Sequence, residues 1–247
     1  MRAGTYAYDG PDMVTPWHAH DLDQIEYAFA GVAEVETAGA HYLLPPQQAI
    51  WIPAGLPHRT TLRGVRSISV FFDPAMVKPG PDDARVLAAA PVVREMVAYG
   101  VRWPISRPSN ERAADVFFEA LAILVVDWLD HASPLRLPTS DDTLVAAAIA
   151  VTNEHLADVD LDSVCAAIGT SQRTLRRRFL ASTGMTWRQY VLESRLLRAT
   201  AMLAEQQTSV LAVAVAVGFD SASSFARAFT RQFAETPSAY RRRVHAT

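Results

Sequence analysis

The chain has 247 residues, half of them apolar, a single cysteine and a net charge of −3. That length suits two domains of ordinary size, the apolar content excludes wholesale disorder, and the lone Cys165 excludes an intramolecular disulfide. No stretch reaches the ~18 uninterrupted apolar residues of a membrane span, and no N-terminal apolar run resembles a signal peptide, so a cytoplasmic protein without a membrane partner is expected.

From Thr15 to Asp73 the chain reads as closely spaced strands, such as IEYAFAGVAEVET and AIWIPAG, broken by Gly and Pro. Such strands predict a small β-barrel or jelly roll. His18-Ala19-His20 places two imidazoles on one side of an extended segment, because side chains alternate. Pro53-Ala54-Gly55-Leu56-Pro57-His58 adds a third on a turn. This pair of motifs resembles the cupin barrel. Gly31 falls where the first cupin motif has its glycine. Gln24 stands at the usual glutamate, with Glu26 two residues later on the same face. Pro53, Gly55 and His58 keep the second motif, whereas Gln47 and Leu62 replace its glycine and asparagine. The resemblance implies a metal site of His18, His20 and His58, completed by Gln24 or Glu26. Three imidazoles and an oxygen suit a divalent transition metal. The same histidines also fit a metal-free, hydrogen-bonded remnant. Tyr27, Phe29, His41 and Trp51 are candidates to line an organic-ligand site, or plain strand core.

Pro91–Tyr99 and Asn110–His131 read as helices. The second carries Ala114, Phe117, Phe118, Leu121, Leu124, Val125, Trp128 and Leu129, a surface wider than one stripe. Burial on two sides follows: one against the barrel, the other against the same helix of a second subunit or within one chain. Glu111, Asp115, Glu119, Asp127 and Asp130 leave one face wet. Ser133 to Thr143 has two prolines and no apolar period, and predicts a linker. Asp141 or Asp142 then caps a helix ending near His155.

In the last third one pattern occurs twice, LDSVCAAIGTSQRTLRRRF over 161–179 and VLAVAVAVGFDSASSFARAF over 210–229. Each copy is a short apolar helix, a glycine turn (Gly169, Gly218), a serine cap (Ser171, Ser221) and a second helix, the helix-turn-helix unit. At about 100° per residue, Leu175 and Phe179 share one side of the first recognition helix and Arg173, Arg176 and Arg177 the other. In the second, Phe225 and Phe229 face inward, and Ser223, Arg227, Thr230 and Arg231 outward. Arginine and small hydroxyls suit a DNA groove, although a solvated basic face has the same composition. Cys165 lies on an apolar helix face and reads as core. Between the copies a helix over Trp187–Leu203, opened by Gly184 and Thr186, predicts a rod of roughly 25 Å. Such a rod could hold two recognition helices about one DNA turn apart, roughly 34 Å. Thr236-Pro237 opens a last arginine-rich helix. From residue 161 onward there are 12 arginines against 5 acids, whereas residues 1–140 hold 11 basic and 16 acidic side chains. The positive charge is thus concentrated on the helix-turn-helix units.

This segment closely resembles the DNA-binding domain of the AraC/XylS transcriptional regulators. The resemblance rests on Ala166-Ala167, Gly169, Ser171, Leu175, Phe179, Thr183-Gly184, Arg195-Leu196, Gly218-Phe219, Ser224-Phe225, Phe229, Phe233, Pro237 and Tyr240-Arg241. Ala234 departs from it, standing where the family usually has glycine. The resemblance implies base contacts by Arg173, Arg176, Arg177, Ser223 and Arg227. It also implies a homodimer and a sensor barrel that takes an organic ligand, or none.

The expected fold is α+β in two domains. A cupin-like β-barrel with a helical dimerisation segment spans 1–132, a linker 133–140, and an all-α domain with two helix-turn-helix units 141–247. The expected function is a sequence-specific regulator of promoter DNA, responding to a small molecule or metal ion and engaging RNA polymerase if it activates. A metal-dependent cupin enzyme is the alternative, and a DNA-binding protein without an effector a third reading.

Overall fold

The computed structural model describes residues 2–44, 48–78, 80–88, 91–108, 111–130, 137–204 and 208–245, with backbone only at 30–32 and 88. Gln47 of the second histidine motif and residues 133–136 of the expected linker lie outside the described residues. The chain divides into two compact units, Met1–Thr37 with Tyr42–Arg136, and Ala38–His41 with Leu137–Thr247.

The first unit is one antiparallel sheet with two helices. Its strands are β1 (Ala3–Asp9), β2 (Met13–Val14), β3 (Asp23–Thr37), β4 (Ala40–Leu44, of which Ala40 and His41 fall in the second unit), β5 (Gln48–Ile52), β6 (His58–Phe72) and β7 (Arg85–Ala88). β3 and β6 form its spine, paired from Asp23↔Phe72 to Thr37↔His58, with register shifts between Ala28 and Val32. Such bulges bend a strand and increase its twist, which curves the sheet into a half-barrel. The strands begin earlier than Thr15, because β1 runs along β6 on the side away from β3.

Alternation along β3 sorts the two faces. Ile25 and Tyr27 lie opposite Val70 and Ile68 of β6, and Trp51 of β5 lies opposite Ile25. This face is covered by α1 (Pro91–Gly100) and α2 (Arg112–Asp130) through Val93, Val97, Phe118, Leu121 and Val125. Gln24 and Glu26 point to the other face, beside Phe71 and Ser69. One acid of α2 is not wet as expected. Asp115 pairs at 2.7 Å with Arg107, whose side chain is almost fully buried.

In the second unit, β8 (Leu137–Pro138) pairs with Ala40 and His41, inside the span expected as linker. Among the described residues seven helices follow: α3 (Thr143–Glu154), α4 (Leu161–Ala167), α5 (Gln172–Thr183), α6 (Trp187–Leu203), α7 (Val210–Ala216), α8 (Ala222–Phe233) and α9 (Pro237–His245). Their ends follow local capping chemistry. Asp142, Asp160, Ser171, Thr186, Ser209 and Ser221 each accept backbone N–H bonds as N-caps, and Thr186 with Gln189 forms a capping box. Gly184 ends α5 in the left-handed region, at φ 73°. α6 is the spine, packing against α5 before it and α7, α8 and α9 after it. Leu196, Ala199 and Leu203 meet Val213, Phe225, Phe229 and Tyr240 in one apolar cluster.

α8 ends on Ala234, also left-handed, at φ 57°. That conformation costs an L-residue about 1–2 kcal/mol, part of which glycine would give back as unfolded-state entropy, about 0.4–1 kcal/mol. Ala234→Gly is therefore expected to stabilise the chain by up to about 1 kcal/mol, read from the urea midpoint of unfolding.

Candidate functional site

Two groups of residues carry chemistry, one in each unit. In the second unit, Arg173, Arg176 and Arg177 are exposed on α5, while Leu175 and Phe179 are buried. On α8, Ser223, Arg227, Thr230 and Arg231 are exposed, and Phe225, Ala228 and Phe229 are buried. Arg176 is steadied by Gln172, one turn before it, through a 2.8 Å bond to Oε1. Arg227, Thr230 and Arg231 line a shallow depression on α8 with Ala226. A larger cleft, about 810 Å³, opens between the motifs and is lined by Gln172, Arg176, Arg188, Arg195 and Phe219.

The neighbouring Arg178 has another task. Its Nε and Nη2 donate to Asp142 at 2.6 and 2.7 Å, and this guanidinium holds the Asp142 carboxyl below the usual carboxylate range. Asp142 also caps α3, so Arg178 joins the first motif to the helix before it. Exposed Arg188, Arg198 and Arg242 add positive surface that the sequence reading did not single out. Their signal was only the excess of arginine.

In the first unit one ring nitrogen from each of His18, His20 and His58 lies within 4.8 Å of the others. His18 and His20 sit in an extended segment between β2 and β3, not in a strand. Backbone bonds hold it: His18 and His58 exchange both at 3.0 and 2.9 Å, and the Gly55 N–H donates to His20 O at 2.8 Å. Each ring turns Nδ1 to a backbone carbonyl two residues away: His18 to Pro16 at 2.9 Å, His20 to Leu22 at 2.7 Å and His58 to Leu56 at 2.9 Å. A carbonyl only accepts, so Nδ1 carries the proton in all three; Nε2 is then the atom that His18 and His58 offer, whereas Nε2 of His20 is engaged by Gln24 and is offered only once that contact is given up. This is the outer support that ligating imidazoles need. The Nε2 of His58 is buried and has no hydrogen-bond partner among the described residues. Burial pulls the His58 imidazole down to about 4, so it stays unprotonated near neutral pH.

Gln24 faces His20, its Oε1 lying 2.7 Å from Nε2, and donates through its own Nε2 to Glu26 at 3.1 Å. Ser69 and Ser67 also bond the Glu26 carboxylate, while complete burial raises its proton affinity. Glu26 is thus the anchor behind Gln24. Three neutral imidazoles and an amide oxygen make an uncharged donor set, which suits a borderline transition metal and not calcium or magnesium. The residues present therefore fit such an ion after a small inward movement of the rings.

Tyr27 and Trp51 do not share this site. Both are fully buried on the helix-covered face, opposite the one that carries Gln24 and Glu26. Their odd-numbered places on β3 and β5 send them into the core with Phe118 and Leu121, in line with the plain-core alternative of the sequence reading. Phe29 is partly buried against the same core. Cys165 is buried, in keeping with a core role.

A family model described as "AraC-like ligand binding domain" matches residues 5–137, and one described as "Helix-turn-helix domain" matches residues 164–243. The chain is 25% identical over 234 residues to the HTH-type transcriptional regulator NimR of Escherichia coli (strain K12), covering 93% of this chain and 83% of NimR. It is 34% identical over 104 residues to the HTH-type transcriptional activator RhaR of Salmonella dublin, spanning 42% of this chain and only 37% of RhaR. Among solved structures, it is similar to a Chromobacterium violaceum transcriptional regulator with an AraC-type DNA-binding domain. The TM-score is 0.40 at 26% identity, over 41% of this chain and 92% of that one. ToxT of Vibrio cholerae O395 aligns with 99% of this chain and 98% of its own, with TM-score 0.43 and 13% identity.

Proposed function

Because the chain belongs to the AraC family of DNA-binding transcriptional regulators, we propose that it reads a specific promoter sequence through α5 and α8 under the control of an effector held by the first unit. It is a regulator with a ligand-binding domain and not an enzyme, so the cupin-enzyme alternative falls. Among the described residues no helix is long and apolar enough to cross a membrane. The protein works in the cytoplasm, where its promoter is.

Arg173, Arg176 and Arg177 on α5, with Ser223, Arg227 and Arg231 on α8, contact the duplex. The observation that carries this is their shared exposure on the two second helices, while their apolar neighbours are buried. Bidentate arginine–guanine contacts are worth roughly 1–3 kcal/mol of discrimination each. Arg227→Ala and Arg176→Ala are each expected to weaken the cognate site by about 5- to 150-fold and to relax preference at one base pair. A selection from random duplexes followed by titration of single-base variants measures this. Uniform weakening across all sequences would assign the residue to phosphate instead.

The effector is a divalent transition metal held by His18, His20 and His58, with Gln24 as fourth ligand and Glu26 orienting it. This reading rests on the three supported imidazoles and the partnerless Nε2 of His58. An ion can shift DNA binding only if it binds one arrangement of the protein better than another.

The active species is a homodimer joined along α2. Ala113, Val116, Ala120 and Ile123 are exposed at three- and four-residue spacing on the face away from the sheet, with Val116 53% and Ile123 71% exposed. That spacing is the seam of a two-stranded coiled coil. Ile123→Glu is expected to give a monomer in sedimentation equilibrium at concentrations where the unaltered chain is dimeric. A dimer that survives the substitution would place the interface elsewhere.

A further inference from the structure

Gly169 and Gly218 hold the same place in the two helix-turn-helix units, both left-handed, at φ 66° and 84°. Their surroundings differ. A Cβ on Gly169 would meet nothing within 4 Å, whereas one on Gly218 would lie 1.9 Å from the carbonyl oxygen of Ala157. The second turn is therefore seated directly on the chain that leaves α3, in the first motif's own bundle. Arg195, near the middle of α6, closes the same seam. Its Nε donates to Leu156 O at 2.9 Å, Nη2 to Ala157 O at 3.0 Å and Nη1 to Gly218 O at 2.9 Å. Asp158 and Asp220 stand near enough to act on its charge. One planar fork thus takes three carbonyls at once, two from the chain between α3 and α4 and one from the second motif's turn, a geometry that a lysine ammonium cannot reproduce.

We propose that Arg195 is a positioning residue that clamps the end of α3 to the second motif's turn, setting the separation and helical phase at which α5 and α8 meet a duplex. The proposal rests on the reading of α5 and α8 as recognition helices. Apolar packing joins α7 and α8 to α6, but it is non-directional and tolerates small rotations. Three directed bonds and a closed steric contact at Gly218 do not. One inserted base pair turns one half-site against the other by about 35°, so a fixed clamp makes binding sharply dependent on spacing.

The test uses the full chain and a duplex selected by it from a random library, then the same duplex with one, two or five base pairs inserted between the half-sites. The unaltered protein is expected to lose at least about 10-fold in affinity for a single insertion. Arg195→Lys and Arg195→Met are expected to lose less than about 3-fold, with unchanged affinity for an isolated half-site. A merely structural role would lower all affinities together and leave the spacing profile alone. Variants with the unaltered profile overturn the proposal, as does an unaltered protein indifferent to insertion. Two unfolded variants overturn it too, since Arg195 would then hold the fold and not the phase. If no duplex is enriched at all, the recognition-helix reading fails instead.

Discussion

Replacing Gly218 by alanine is expected to cost about 2–5 kcal/mol, whereas the same change at Gly169 costs only about 1 kcal/mol. Both positions carry the left-handed penalty, about 1–2 kcal/mol for an L-residue, part of which is regained from the unfolded state. At Gly218 the added methyl also meets the Ala157 carbonyl oxygen at 1.9 Å and the Arg195 guanidinium carbon at 2.9 Å. Relieving such overlap needs a backbone shift of the kind that costs about 1–3 kcal/mol. It also breaks the three carbonyl bonds of Arg195. Urea unfolding of the two variants measures the difference. Equal costs would mean that the second turn is not seated on the chain that leaves α3 at all.

Adding zinc, nickel or cobalt to the metal-free chain is expected to raise its thermal midpoint. An ion that binds only the folded state stabilises it by about 2.7 kcal/mol at one hundred times its dissociation constant. His18→Ala, His20→Ala and His58→Ala should each abolish the effect, because two imidazoles and one amide oxygen remain. Gln24→Ala should weaken it, and Glu26→Gln should weaken it less, since Glu26 acts only by orienting the Gln24 amide. Calcium and magnesium should do nothing. A midpoint unmoved by every transition ion sinks the metal reading, and so does a rise that persists in His58→Ala.

What the sequence made legible was local. Asp142, Gly184, Thr186 and Pro237 bound their helices because a cap needs only its neighbours, and α6 has the bounds that the pattern predicts. The outward arginines of α5 and α8 followed from helical period alone. The three histidines came together as the cupin resemblance implied. What stayed hidden depends on partners distant in sequence. Tyr27 and Trp51 read equally as lining residues or core until the β3–β5 register and the helices above it place them in the core. Gly169 and Gly218 are indistinguishable as letters, and only one has a carbonyl against it. Arg195 reads as one more basic residue on a long helix, because its acceptors lie 23 to 39 positions away. Ala234 was legible as a departure at a glycine position, and its positive φ gives the reason glycine is favoured there.

The two outward faces are not copies of one another. α5 presents three arginines, and α8 presents serine, arginine, threonine and arginine. A protein that reads DNA by pairing identical subunits needs a target that looks the same from either end. One chain with two unlike readers on a common shaft has no such need. A duplex that would suit both readers in one order would suit neither when turned around, so the site of each subunit would have a direction, and the target of the proposed dimer would set two such directed sites against each other.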